Sequence, residues 1–172
     1  VALYQNLFVS DDGDGVAIQP HNDVPRMIRI FNNTALTAGT GIRVTGGDTR
    51  YQQHVIGNAV FAANPLQGGT QLQNVSGAYA AAANYLANPF ALPGQLDLYP
   101  LVGLMTGPAL DTNPFDRFLD WNRDFNGDPH DGTFRGAYAA EGQNAGWLPR
   151  IARKPLPTIH SSEFAYLPLI LQ

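Results

Sequence analysis

The chain has 172 residues, enough for one domain with or without a tail; 44% are hydrophobic but only 14% are charged. A net charge of −4 with no basic stripe argues against a nucleic-acid partner, and the lack of cysteine excludes disulfides, thiolate metal sites and cysteine catalysis. No stretch approaches the roughly 18 continuous apolar residues of a membrane span, and 18 Gly with 13 Pro mark a turn-rich, β-like chain.

The sequence starts at Val1, not Met, and enters strand-like residues at once, which reads as a mature or fragmentary product. From Val1 to Leu86 one short pattern recurs. It is Tyr4-Gln5-Asn6-Leu7-Phe8, then Phe31-Asn32-Asn33-Thr34-Ala35, then Ile56-Gly57-Asn58-Ala59-Val60, and last Ala83-Asn84-Tyr85-Leu86. Asn6, Asn33, Asn58 and Asn84 stand 27, 25 and 26 residues apart. A second register aligns Gly15-Val16-Ala17-Ile18 with Gly41-Ile42-Arg43-Val44 and, more loosely, with Gly69-Thr70-Gln71-Leu72. Self-similarity at such a period is the signature of a solenoid, and short apolar runs between Gly, Asp and Asn read as strands. Each unit therefore reads as one coil of a parallel β-helix, with Ile18, Val44 and Leu72 inside. The four asparagines share a corner, tolerating its left-handed backbone and bonding to each other through their amides. The competing reading is coincidence in an Asn-rich chain; repetition of the flanking apolar residues and of the glycine register favours coils.

Within the first unit, Ser10-Asp11-Asp12-Gly13-Asp14-Gly15 suits either a calcium loop or an ordinary turn. His21 and His54 are distant from other candidate ligands and read as loop histidines. The alanine run at 80–83 suits a short helix or a single turn. Asn32-Asn33-Thr34 and Asn74-Val75-Ser76 fit the glycosylation triplet. From Asn88 the period is lost and prolines recur, so residues 88–148 read as an irregular C-terminal cap over the end of the stack, with Phe115, Phe118, Leu119 and Trp121 as its plug. Residues 149–172 are a proline-rich linker and an apolar tail, Phe164-Ala165-Tyr166-Leu167-Pro168-Leu169-Ile170-Leu171.

Ile28-Arg29-Ile30-Phe31-Asn32-Asn33-Thr34, Leu96-Asp97-Leu98-Tyr99-Pro100-Leu101, Gly107-Pro108-Ala109-Leu110-Asp111, and Asp124-Phe125-Asn126-Gly127-Asp128 followed by Arg135-Gly136-Ala137-Tyr138 carry a likeness. They resemble the strand corner, closing segment and terminal signature of right-handed parallel β-helix proteins of the pectate-lyase-like, secreted bacterial kind. Ala139 stands where that family usually has glutamate. The resemblance covers residues 1–140 and implies the C-terminal part of such a protein: an all-β, right-handed parallel β-helix of three to four coils over residues 1–87, and an extracellular or cell-surface setting.

Asp120, Asn122, Asp124, Asn126 and Asp128 alternate side-chain oxygens along one loop, the arrangement calcium requires, yet Thr133 stands where a bidentate Glu would complete the template. Bound calcium and a structural turn, with Arg135 paired to an aspartate, are both open. The resemblance implies a basic residue as Brønsted base for polysaccharide lysis; Arg29, Arg43, Arg50 and His54 are the candidates, and no lysine precedes Lys154. They have no demonstrable common face, and no catalytic residue is assigned. The expected function is a structural or binding module, a subunit of a surface layer or filament with other protein subunits or polysaccharide as partners. Its assembly contacts would be Phe164, Tyr166, Leu167, Leu169 and Ile170, adding a strand to a neighbouring subunit. The runner-up is the C-terminal part of a carbohydrate-active enzyme with its active coils upstream.

Overall fold

A computed structural model of the chain describes residues 1–155. The protein is mostly β with little helix, and its two larger sheets are parallel. One holds β1 (Ala2–Tyr4), β4 (Ile28–Phe31), β6 (Gln53–Ile56) and β8 (Thr70–Leu72), side by side in that order. The other holds β2 (Leu7–Ser10), β5 (Thr34–Val44), β7 (Ala59–Gln67) and β9 (Val75–Gly77), with β3 (Val16–Ile18) pairing the far half of β5. A 3₁₀ helix (Tyr79–Asn84) follows, and β10 (Leu86–Asn88) then pairs antiparallel with β11 (Asp97–Pro100).

Four times the chain passes from the first sheet to the second across two residues: Gln5-Asn6, Asn32-Asn33, Gly57-Asn58 and Gln73-Asn74. The first residue of each pair is left-handed, with φ of 57°, 51°, 68° and 51°. The second is always an asparagine, and these four are bonded in a row. The backbone N–H and side-chain amide of Asn6 both donate to Asn33 Oδ1 at 3.1 Å. Asn33 donates in the same way to Asn58 Oδ1 at 3.0 and 2.9 Å, and Asn58 to Asn74 Oδ1 at 2.8 and 3.0 Å. Each amide also donates to carbonyls of the first sheet, as Asn58 does to Ile30 and Ile56.

Two expectations are corrected at this corner. The left-handed residue is the one before the ladder asparagine, because the asparagine's backbone N–H must point along the row. The fourth rung is Asn74, not Asn84, because the last unit is only 16 residues long. Asn84 is exposed at the end of the 3₁₀ helix.

Alternation along the strands divides the apolar residues between two faces. Ile28, Ile30, Val55, Ala35, Val60, Val16, Ile42 and Val44 form one buried cluster between the sheets, with Leu3, Phe8, Ile18 and Leu66 against it. Leu72 does not line this interior. It belongs to the first sheet, in register with Ile56, and is 49% exposed. The glycine register had aligned strands of different sheets, since only β3 and β5 pair as Ile18↔Val44.

The outer faces are apolar too, and the C-terminal segment covers them; on the first sheet Tyr4, Phe31 and Ile56 meet Leu110, Phe115, Phe118 and Trp121. Phe31 stacks on Phe115 with ring centres 3.9 Å apart. On the second sheet Leu36, Ala59 and Phe61 meet Leu86, Leu98, Met105 and Tyr138. The expected plug over the stack end is therefore a wrap along its sides, while Thr70, Gln71 and Leu72 of the last row stay exposed.

Glycine is required where wrap and corner meet. At Gly57, left-handed, a Cβ would stand 2.5 Å from Leu110 Cδ1. At Gly136 (φ 94°) it would stand 2.6 Å from Thr34 Oγ1. Gly136 N–H donates to Gly57 O at 2.8 Å, and Ala137 N–H donates to Thr34 Oγ1 at 2.9 Å. The Arg135-Gly136-Ala137-Tyr138 stretch is thus docked directly on the asparagine corner.

Candidate functional site

Three groups of polar residues bear on function: the Asp120–Asp128 loop, the buried arginine of the wrap, and a basic row on the outer face of the first sheet.

In the loop, Asp124 is buried and both its oxygens are engaged by backbone. Oδ1 accepts from the N–H of Asn126 at 2.8 Å and of Asp128 at 2.9 Å, and Oδ2 from that of Ala139 at 3.0 Å. A carboxylate that accepts three N–H groups fixes a tight turn by charge-assisted bonds. Asp120 is left-handed, and its carbonyl accepts from Gln5 Nε2 at 2.8 Å, tying the loop to the first corner. Asn122 and Asp128 are exposed; Asn126 donates to Asn144 at 3.2 Å. Its one buried carboxylate faces backbone donors, and no group of three His, Cys, Asp or Glu converges among the described residues.

Arg135 is not paired with an aspartate. It is 3% exposed and donates to the carbonyls of Gly132, Thr133, Phe134 and Pro108, so peptide oxygens take the place of a counter-charge. Burial lowers its pKa from the ordinary value. His130, beside it, is buried and accepts from Gly132 N–H through Nδ1 at 3.0 Å, which requires the neutral ring; burial holds its pKa low, against the opposing pull of Asp124 and Asp131.

The four candidate bases fall into three places. Arg43 pairs with Asp14 at 3.4 Å, and Asp14 Oδ1 also accepts from Thr40 N–H at 2.6 Å, so this loop aspartate is held as a brace. Arg50 pairs with Asp48 at 2.7 Å in the connection before β6, and that arginine holds the Asp48 pKa down at about 2. Arg29 and His54 alone come together. They are register partners on adjacent parallel strands, in a row that runs Ala2, Arg29, His54, Thr70. This row shares the outer face with Phe31 and Ile56 but lies beyond the aromatic cover. Arg29 is buried and donates to the Ile28 and Gln52 carbonyls at 3.1 and 3.2 Å and to Gln52 Oε1 at 2.7 Å. Its Nε and the Nδ1 of His54 are buried without a partner. Burial lowers both pKa values; the charge of Arg117 adds to the effect on Arg29, and that of Arg29 to the effect on His54.

Sequence reasoning missed Asn74, Thr34 and Arg117. Asn74 was legible, since Leu72-Gln73-Asn74-Val75 repeats the pattern of strand, any residue, Asn, apolar residue seen at Ile56-Gly57-Asn58-Ala59. Thr34 and Arg117 act across long separations and left no local signal. The tail residues Phe164, Tyr166, Leu167, Leu169 and Ile170 lie outside the described residues. Of the two sequon asparagines, Asn32 is buried and Asn74 is the ladder's last rung. No protein-family model, no curated protein and no solved structure matches this chain.

Proposed function

We propose that the chain is an extracellular structural or binding module, a subunit of a surface layer or filament, whose two parallel sheets are faces of a right-handed β-helix of three to four coils. The bonded row Asn6–Asn33–Asn58–Asn74 carries this reading. Identical corners stacked by identical side chains make each unit depend only on its neighbours, which suits extended, repetitive surfaces. The resemblance to secreted β-helix proteins supports the setting, and polysaccharide is the soluble ligand class it suggests. Assembly rests on the apolar tail adding a strand to another subunit. Deleting residues 158–172 and measuring particle size by light scattering tests this. Dissociation to monomers is the expected result, and assemblies unchanged without the tail refute it.

A second reading is the C-terminal part of a carbohydrate-active, lyase-like enzyme with active coils upstream. It is favoured by the outward pair Arg29 and His54, two basic groups on adjacent rungs. Intact mass and N-terminal sequencing of the native protein separate the two: many further coils before Val1 support the enzyme, and a native start at Val1 supports the module.

A further inference from the structure

We propose that copies of this chain stack end to end, the last row of one copy meeting the first row of the next and continuing the asparagine ladder. The inference rests on the reading of the chain as a subunit of an assembly, and it names a contact distinct from the tail. It starts from the direction of the ladder. Asn6, Asn33 and Asn58 each donate their backbone N–H and amide to the Oδ1 of the next asparagine. Asn33, Asn58 and Asn74 each reach back with Nδ2 to the row before, to Leu3 O, Ile30 O and Val55 O. The peptides after the corner follow the same rule. Thr34, Ala59 and Val75 N–H donate to the carbonyls of Asn6, Asn33 and Asn58, each at 2.9 Å. A ladder with a direction has two unlike ends.

Those ends are complementary. Among the described residues nothing donates to Asn6 Oδ1, and Leu7, the register partner of Thr34, has no earlier corner carbonyl for its N–H. At the other end the Asn74 backbone N–H and carbonyl engage nothing among the described residues. Gln71 O there stands in the column where Leu3, Ile30 and Val55 offer their carbonyls. A second copy set one strand spacing beyond the last row closes each of these: Asn74 N–H on Asn6 Oδ1, Asn6 Nδ2 on Gln71 O, and Leu7 N–H on Asn74 O. The wrap does not obstruct this. It meets the last row where Pro108 O accepts from Gln73 and the first where the Asp120 and Trp121 carbonyls accept from Gln5, covering sheet faces between them. Thr70, Gln71, Leu72 and Ser76 of the last row are exposed, and Leu3 and Phe8 of the first are only half-buried. Open edges with unpaired N–H and C=O groups invite strand pairing. Gln71 and Ser76 stand in columns otherwise filled by Leu3, Ile30 and Val55 and by Phe8, Ala35 and Val60. The junction is therefore more polar than the rows inside the stack and forms reversibly. A contact between unlike ends does not close on itself, so its repetition builds a filament.

Disulfide trapping tests the junction, since the chain has no cysteine of its own. The row Ala2, Arg29, His54, Thr70 puts Ala2 of the next copy beside Thr70, about 4.8 Å away and within disulfide reach. Within one chain the two are three strand spacings apart, roughly 14 Å, too far to close. Thr70 is exposed and Ala2 half-buried, so cysteine is accommodated at both. The full chain carrying Ala2→Cys and Thr70→Cys is oxidised with diamide and run on a non-reducing gel, and a ladder of covalent oligomers is expected. Mixing the two single variants should give crossed dimers at least about tenfold faster than either gives by itself. Gln71→Lys, at a position exposed in the single chain, brings a charge under Leu3 of the next copy and should cut the oligomer yield at least about tenfold. A double variant that stays monomeric, single variants that dimerise with themselves as fast as they cross, or a yield unchanged by Gln71→Lys overturns the proposal. So does a native protein whose own coils upstream of Val1 occupy the first row. Removal of residues 158–172 reads the tail contact and the disulfide reads the junction, so each can fail without the other.

Discussion

Replacing Asn58 by alanine tests the corner most directly. Asn58 is fully buried, and its side chain serves five groups. Oδ1 accepts from the backbone and side chain of Asn33, and Nδ2 donates to Ile30 O, Ile56 O and Asn74 Oδ1. Truncation removes these bonds at roughly 1 kcal/mol each and leaves the Asn33 backbone N–H buried without its acceptor, while the Asn33 amide keeps the Leu3 and Phe31 carbonyls. The Asn74 oxygen keeps its backbone donor, so the loss there is partial. A total of about 4 kcal/mol follows, or a fall in Tm of about 8–16 °C for a chain of this size. Asn84, the fourth asparagine of the sequence pattern, is exposed outside the row, so Asn84→Ala should cost less than about 0.5 kcal/mol. Urea unfolding of both variants, followed by circular dichroism and tryptophan fluorescence, supplies the comparison. If Asn58→Ala lay within 1 kcal/mol of wild type, or Asn84→Ala cost as much, the ladder would not hold the stack.

Three other outcomes are expected. Val44→Asp, at a site 4% exposed, should cost several kcal/mol (~3–5) because the buried charge has no partner, whereas Leu72→Asp should be near neutral by the same urea measurement. Asp124→Ala should destabilise by roughly 2–4 kcal/mol through three orphaned N–H groups, and the wild-type Tm should be unchanged by EDTA. A fall in EDTA reversed by added calcium would assign the ion to that loop. His130 has a folded pKa below its unfolded value of about 6.5, so the folded state binds fewer protons between the two. Its contribution is full above that unfolded pKa and is lost as pH falls through the lower, folded one. His130→Gln should flatten this part of the stability–pH curve, and an unchanged slope would remove His130 as its source.

What the sequence determined by itself is the local, repeated part. Strand, left-handed residue, asparagine and apolar residue are adjacent in the chain, so Asn6, Asn33 and Asn58 announced a shared corner. The alternation in Ile28-Arg29-Ile30-Phe31 put the apolar Ile28 and Ile30 on one face. It could not say that Phe31, on the other face, was also to be buried, because its cover, Phe115, lies more than eighty residues away. Registers were the weak point for the same reason. Gly69-Thr70-Gln71-Leu72 looks like Gly41-Ile42-Arg43-Val44, but a shorter last unit moves it to the other sheet and carries Leu72 out of the core. Tertiary structure alone decided that the C-terminal segment runs along the sides of the stack and that Asp124 spends its carboxylate on three backbone N–H groups. It alone set Arg29 beside His54. Hydrogen bonds within a repeat are written in adjacent residues, whereas the surface on which a wrap settles depends on which apolar columns the completed sheets leave uncovered.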